Sequence, residues 1–430
     1  SDLNRMYALI TSISDSSGGG ADTLGAYRSD DSGNTWTSMP IGNIQSTYGW
    51  YLNCVGISPF AADTAFFGGL TMSRTINGGG AFSSVTPPHV DMHALTYDSL
   101  GRLLAGCDGG IYRSSDNGSS WTSLNNGLGT TQFYAGVSAH PSNMDIVMGG
   151  LQDNGTVIRP SATTHWNAAI GGDGGWTALN QVAPLNMWGQ PQGPAQLRRS
   201  TNGGTSFTLN STGISGSQPN AFYTPVIYSP GSTTTLFCGT DRVYRSTNNG
   251  TNWTAISPDL TPTTLGAIRC LAISPLSASN LWVATTDGVI ARSTDGGVTF
   301  LNSLTGIPGW IRVTREVVPS PSNTNTCFLA VSQFGMPQVR RTSDNGATWI
   351  AIDGDLPDIP VNTIGIDPRP NPDALYAGTD AGLYKSINDG VNWTKVAGIP
   401  NAPVIDLQYR AANGSMLIAT QGRGSWTLAL

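Results

Sequence analysis

Two of the four histidines in this chain stand in one short segment, His89-Val90-Asp91-Met92-His93. Read as the start of a β-strand, period-two alternation places His89, Asp91 and His93 on a single face. Two imidazoles and a carboxylate at i, i+2 and i+4 have the donor types to hold a divalent metal such as Ca²⁺ or Zn²⁺, or to run acid/base chemistry. The same set also serves as a structural hydrogen-bonding cluster. Three further segments carry polar groups on short glycine-flanked connections: Gly106-Cys107-Asp108-Gly109-Gly110, Gly150-Leu151-Gln152-Asp153-Asn154-Gly155 and Gly171-Gly172-Asp173-Gly174-Gly175-Trp176. Asp108 and Asp153 fill a slot that Asp241, Asp287 and Asp380 fill elsewhere, the mark of a recurrent structural position. Gln152, Asn154 and Asp173 have no such counterpart. The ligand-binding candidates are therefore His89, Asp91, His93, Gln152, Asp153, Asn154, Asp173 and Trp176. Asp91 and Asp173 are the catalytic candidates, and His89, Asp91 and His93 the metal candidates.

A second group is aromatic. Trp50 and Tyr51, Phe133 and Tyr134, Trp176, Phe222 and Tyr223, and Trp310 all precede or begin apolar runs. Rings gathered at one end of such runs would suit the apolar C–H faces of a sugar, and equally suit packing between sheets. His140 and His165 read as structural, and Cys54, Cys107, Cys238, Cys270 and Cys327, scattered without close pairs, read as buried apolar thiols.

Composition narrows the partners. The chain has 430 residues, a formal charge of -6 and 11% charged residues, against about 25% in an ordinary globular protein. No basic patch is present to neutralise phosphates, which argues against nucleic acid. No apolar run approaches the length of about 20 residues that spans a bilayer. Solubility rests on Ser, Thr, Asn and Gly, a balance that suits an extracellular or cell-surface protein. Ser1-Asp2-Leu3-Asn4 reads like the middle of a repeat, so the expectation is a mature chain that begins after a removed segment.

The elements that must position these residues are set by an eight-residue pattern, Ser/Thr-x-Asp/Asn-x-Gly-x-Thr/Ser/Asn-Trp/Phe. Clear copies run Ser29 to Trp36, Ser114 to Trp121, Ser293 to Phe300 and Thr342 to Trp349; Asn replaces Asp in Ser200 to Phe207, Ser246 to Trp253 and Ser386 to Trp393, and Thr75 to Phe82 is a worn copy. The spacing is about 45 residues, the period of four-stranded propeller blades. One double step holds a unit without the pattern, in which Trp166 stands where the terminal Trp would be. The third-position carboxylate or amide accepts backbone N–H groups across a tight turn, Gly supplies positive φ, and the aromatic is expected to bury itself between sheets. The fold class expected is all-β, a β-propeller of four-stranded antiparallel blades in roughly nine to ten repeats over 1–430. They would form one large ring or two smaller propellers, with the division placed near 195–220.

This octapeptide is similar to the Asp-box (BNR) repeat, and the chain resembles Asp-box propellers such as sialidases, sortilin-type receptor domains, xyloglucanases and secreted Bacteroidota surface proteins. The resemblance covers nearly the whole chain and implies fold more than activity. The stretches in 89–175 also resemble segments of secreted Bacteroidota Asp-box proteins, which implies a cell-surface location. The arginines mostly fall in a repeated Tyr-Arg-Ser segment and no Phe/Tyr-Arg-Ile-Pro stretch is present, so the sialidase arginine triad is not supported. The function expected is a glycan- or protein-binding surface module. Its rivals are a xyloglucanase-like glycoside hydrolase using Asp91, Asp108, Asp153 and Asp173, and a structural subunit that self-assembles.

Overall fold

A computed structural model describes residues 2–13, 21–44, 48–134, 136–162, 165–307 and 314–430. The chain is a β-propeller protein, and its described residues form ten antiparallel sheets, eight of four strands and two of three. The three-stranded sheets are the first and the last, where the sequence lacks an innermost strand and an octapeptide respectively. Among the described residues no helix is long and apolar enough to cross a membrane. We number the sheets as blades 1 to 10 in chain order. The chain divides into two compact units, Ser1–Leu128 and Gly129–Leu430. The division falls after Leu128; the segment 195–220, where the sequence suggested it, lies inside the second unit.

The octapeptide builds the same turn in each blade that carries it. In blade 1, Ser29 Oγ accepts the Gly33 amide at 2.8 Å and donates to Asp31 Oδ1 at 2.7 Å; Asp31 in turn accepts the Thr35 amide at 2.8 Å and the Thr35 hydroxyl at 2.7 Å. Asp116, Asp295 and Asp344 make the corresponding bonds. The turn needs φ of +92° at Gly33 and +83° at Gly346, which glycine adopts without a Cβ penalty. Hydrogen bonds to the ionised form hold these carboxylates low: the Thr35 hydroxyl first of all brings Asp31 to about 2, and Ser120 and Thr348 do the same for Asp116 and Asp344.

Strands in the blade interior are covered on both faces. Val361–Asp367 and Ala374–Thr379 are buried at every position. In the first unit, blades 1 to 3 form a row with two interblade cores. One holds Leu9, Met39 and Phe67, the other Phe66, Met92 and Leu103.

In the second unit, blades 4 to 10 form a closed ring. Seven apolar clusters, one for each neighbouring pair of blades, run around it. The seventh is the closure, where Leu417 and Ala419 of blade 10 pack on Phe133, Val137 and Leu151 of blade 4. Hydrogen bonds seal the same seam: the Phe133 amide donates to the Thr420 carbonyl at 3.1 Å, the Arg410 guanidinium to the Met144 carbonyl at 2.9 Å, and Gln408 Nε2 to the Val137 carbonyl.

Candidate binding site at the mouth of the closed ring

One local distortion recurs at the start of the innermost strands. In blades 7, 8, 9 and 10 these strands are Ile268–Ser274, Thr314–Pro319, Val361–Asp367 and Val404–Arg410. Pairing with the next strand skips the second residue of each: Arg269, Arg315, Asn362 and Ile405 are bulged out. A β-bulge re-aims a side chain and is common beside functional sites. Here all four skipped residues line a single cavity of about 480 Å³, together with Phe133, Tyr134, Trp176, Phe222, Tyr223 and Glu316. Every blade of the ring contributes to its wall, so the cavity lies where the innermost strands converge.

The residue after three of these four bulges has a different use. Cys270 Sγ accepts the Val317 amide at 3.4 Å, Glu316 Oε2 accepts the Ile364 amide at 3.1 Å, and Asp406 Oδ2 accepts the amides of Gly136 and Val137 at 2.5 and 2.9 Å. Each acceptor reaches the next blade, and Asp406 reaches across the closure. Burial raises the Glu316 carboxyl above the ordinary range, and repulsion from Asp406 adds to it. Burial also raises Asp406, against the pull of the two amides.

The cavity wall has two halves. Blades 4 to 6 supply rings: Tyr134 meets Phe222 at 5.6 Å and Tyr223 at 5.8 Å between centroids, and Trp176 meets Tyr223 at 6.4 Å. Phe222 sits at φ +77°, a conformation that a bulky residue adopts only under strain, and yet the residue is 44% exposed. Blades 7 to 9 supply Arg269, Arg315, Glu316 and Asn362. Asn362 is held at both ends, donating to Asp380 Oδ1 at 2.8 Å and accepting from the Ser332 hydroxyl at 3.0 Å.

The candidates drawn from sequence fall into both units. In the first, the innermost strand of blade 3 starts at Met92, and Asp91 lies before it at φ +63°. The expected alternation over His89, Asp91 and His93 is thereby corrected: a bulge between Met92 and Ala94 re-aims His93, and the three do not share one strand face. His93 Nε2 pairs with Asp108 Oδ1 at 2.7 Å, and its ring meets the exposed Tyr51 edge-on at 4.5 Å. His89 Nδ1 bonds the Val90 carbonyl at 3.1 Å and its ring lies over Gly109.

In the second unit, Gln152, Asp153 and Asn154 form the tight turn after Val147–Leu151. The Asp153 amide donates to Asp173 Oδ1 at 2.6 Å, and the Asp173 amide to Gln192 Oε1 at 2.8 Å. The glycines around them are explained by backbone packing, since a Cβ on Gly150 or Gly174 would collide with the opposite main chain. Of these candidates, Trp176 lines the cavity and packs on Gly136. Trp310 lies outside the described residues. His140 caps a turn, its Nδ1 accepting the amides of Ser142 and Asn143 at 3.2 and 3.0 Å. All five cysteines are free thiols.

Sequence reasoning missed Arg269, Arg315, Glu316 and Asn362. One signal was available: Arg269 and Arg315 stand outside the third-strand slot in which most arginines of this chain recur.

No protein-family model matches the chain, and neither does any curated protein. Among solved structures, the chain is similar to the GH74 xyloglucanase from Xanthomonas campestris, with a TM-score of 0.63 at 15% identity over 98% of this chain and 67% of that one. It is also similar to YCF48 from Cyanidioschyzon merolae, with a TM-score of 0.54 at 11% identity over 69% of this chain and 95% of that one. The chain thus spans about two thirds of the xyloglucanase. At such identities the likeness establishes a β-propeller and leaves the chemistry to the residues.

Proposed function

We propose that this chain is a carbohydrate-binding propeller of the cell surface, with its ligand seated in the cavity of the closed ring. The observation that carries this reading is the aromatic half of the wall. Tyr134, Trp176, Phe222 and Tyr223 cluster beside polar groups in a cavity of about 480 Å³, the combination typical of small-ligand sites. Phe222 bears most directly on it, because an exposed aromatic on a strained backbone is retained at a cost to stability. The surface location draws on the charge-poor composition and on the resemblance to Asp-box surface proteins.

The test is an oligosaccharide array probed with the wild type, Phe222→Ala and Trp176→Ala. The expected result is a signal from the wild type and affinity lowered about tenfold in Phe222→Ala, the equivalent of about 1.4 kcal/mol. Absence of binding to every sugar would remove the reading.

A second reading, glycoside hydrolysis, is favoured by one observation. Glu316 is an acid that burial, and then Asp406, keep protonated above the ordinary carboxylate range, and it lies on the wall of a sugar-sized cavity. The carboxylates singled out from sequence fit this role less well, since Asp173 accepts the Asp153 amide and Asp108 pairs with His93. Reducing-end release from a polysaccharide panel by the wild type and not by Glu316→Gln would support hydrolysis. No release from any of them would end it.

A further inference from the structure

The polar half of the cavity wall carries two guanidinium groups whose charge the protein leaves unbalanced. Arg269 and Arg315 occupy the same bulge position in adjacent blades, and both line the cavity. Among the described residues, neither takes part in an ion pair. The Nε of Arg269 is buried without a hydrogen-bond partner, as are those of Arg74, Arg198, Arg340, Arg341 and Arg410, but Arg74, Arg340, Arg341 and Arg410 are each held through another guanidinium nitrogen. Most other arginines in this chain are engaged. Arg242, Arg369 and Arg102 hold neighbouring carboxylates, and Arg199 and Arg340 hold carbonyls.

The acids near the pair do not answer it. Glu316 bonds the Ile364 amide, and Asp406 bonds the amides of Gly136 and Val137. Burial lowers the Arg269 pKa, and the charge of Arg315 lowers it further. An anion between the two would relieve their repulsion and give the stranded Nε an acceptor. The planar fork of a guanidinium matches a carboxylate with two parallel N–H···O bonds. The facing wall of Tyr134, Phe222 and Tyr223 offers the rings on which a pyranose C–H face stacks.

Building on the carbohydrate-binding reading, we infer that the ligand of this cavity is an acidic sugar, a uronate-bearing oligosaccharide whose carboxylate is held by Arg269 and Arg315 while its ring lies on the aromatic half.

The experiment is isothermal titration of the full chain with a galacturonic acid trimer, with its methyl ester, which keeps the sugar and removes the charge, and with a sulfated oligosaccharide of similar length. Each ligand is tested against wild type, Arg315→Ala and Arg269→Gln. Arg315 is solvent-exposed, so its variant should fold, and far-ultraviolet dichroism confirms that. The expected result is that wild type binds the acid about tenfold or more tightly than the ester, the size of a lost charge-assisted hydrogen bond. Arg315→Ala should bring the acid down to the level of the ester and leave the ester unchanged, and Arg269→Gln should do the same. Equal binding of acid and ester, or no change in Arg315→Ala, would overturn the inference and leave the carbohydrate reading standing. Preference for the sulfated chain would overturn the uronate assignment. No binding of any of the three, ester included, would count against both.

Discussion

The two units of this chain are built from one repeat and bury it to different extents. Three blades in a row share two interblade cores, whereas seven blades in a ring share seven. The octapeptide tryptophan registers the difference. In blade 8, Trp349 is 3% exposed, meets Trp282 edge-on at 5.8 Å and donates its Nε1–H to the Ser303 carbonyl of the preceding blade at 3.1 Å. In blade 1, Trp36 ends an octapeptide of the same type but is 43% exposed and bonds the Gly33 carbonyl of its own turn at 3.0 Å. Within its unit, blade 1 has no blade before it. The motif therefore specifies a turn, and burial of its tryptophan depends on a neighbour.

The comparison is broken most severely at that tryptophan. Trp349→Ala removes a fully buried aromatic and should cost about 3–5 kcal/mol, while Trp36→Ala should cost less than about 1 kcal/mol. Thermal unfolding of the two variants, followed by hydrogen exchange to assign the loss to a unit, checks this. Equal losses would mean that blade 1 is covered as well as blade 8. The next largest effect is expected at the seam that only the ring possesses. Asp406→Ala leaves the buried amides of Gly136 and Val137 without their acceptor, at about 2–4 kcal/mol. Asp406→Asn keeps a carbonyl oxygen for them and should lose less. Protease nicking near residue 136 in the alanine variant alone would locate the opening at the closure.

Much of this architecture was legible because the repeat is local. Ser29, Asp31 and Gly33 act within one turn, so their spacing names the turn and its period counts the blades. Even the unit without an octapeptide kept its second strand at Val147–Leu151. The cavity was not legible, for a physical reason. Whether Arg269 faces the cavity depends on two residues of one strand opposing a single residue of its partner, a matter of pairing that alternation cannot express. The same distortion misled the reading of His89, Asp91 and His93, where strict alternation was assumed across Asp91 and the bulge at His93. The segments around Asp153 and Asp173 drew attention through their glycines, which the structure explains by close approach of main chains.

The units should also part company with pH. Glu316 and Asp406 have raised values in the folded ring, so their contribution is complete below the ordinary carboxylate range. It is lost as pH rises through the raised values, where folding holds protons that the unfolded chain has released. The octapeptide carboxylates behave in the opposite sense: Asp31, Asp116 and Asp344, near 2, contribute above the ordinary range and lose that contribution as pH falls toward 2. The first unit has Asp31 and Asp116, whose contribution is already complete at pH 5. Hydrogen exchange at about pH 5 and about pH 8, corrected for intrinsic rates, should show the ring less protected at the higher pH and the first unit unchanged. Glu316→Gln should flatten the difference in the ring. A decline of equal size in both units would place the titrating groups elsewhere.

The smallest effect concerns the bulge that the first unit shares with the ring, where His93 stands in the position of Arg269 and Arg315. Each imidazole here has one nitrogen committed, His93 to Asp108 and His89 to the Val90 carbonyl. Such bonds fix a tautomer and leave the other nitrogen capable of taking a metal. A divalent ion held by His89, Asp91 and His93 would raise the melting temperature of the wild type in Zn²⁺ or Ca²⁺, lower it in chelator, and do neither in His93→Ala. The lost common face argues against a site built on all three, so any shift with metal or chelator is expected to persist in His93→Ala. His93→Ala itself should then lower stability by no more than about 1 kcal/mol, because its partner Asp108 keeps access to water. A metal-dependent shift that His93→Ala abolishes would reverse this conclusion and give the open unit a ligand of its own beside the acidic sugar assigned to the ring.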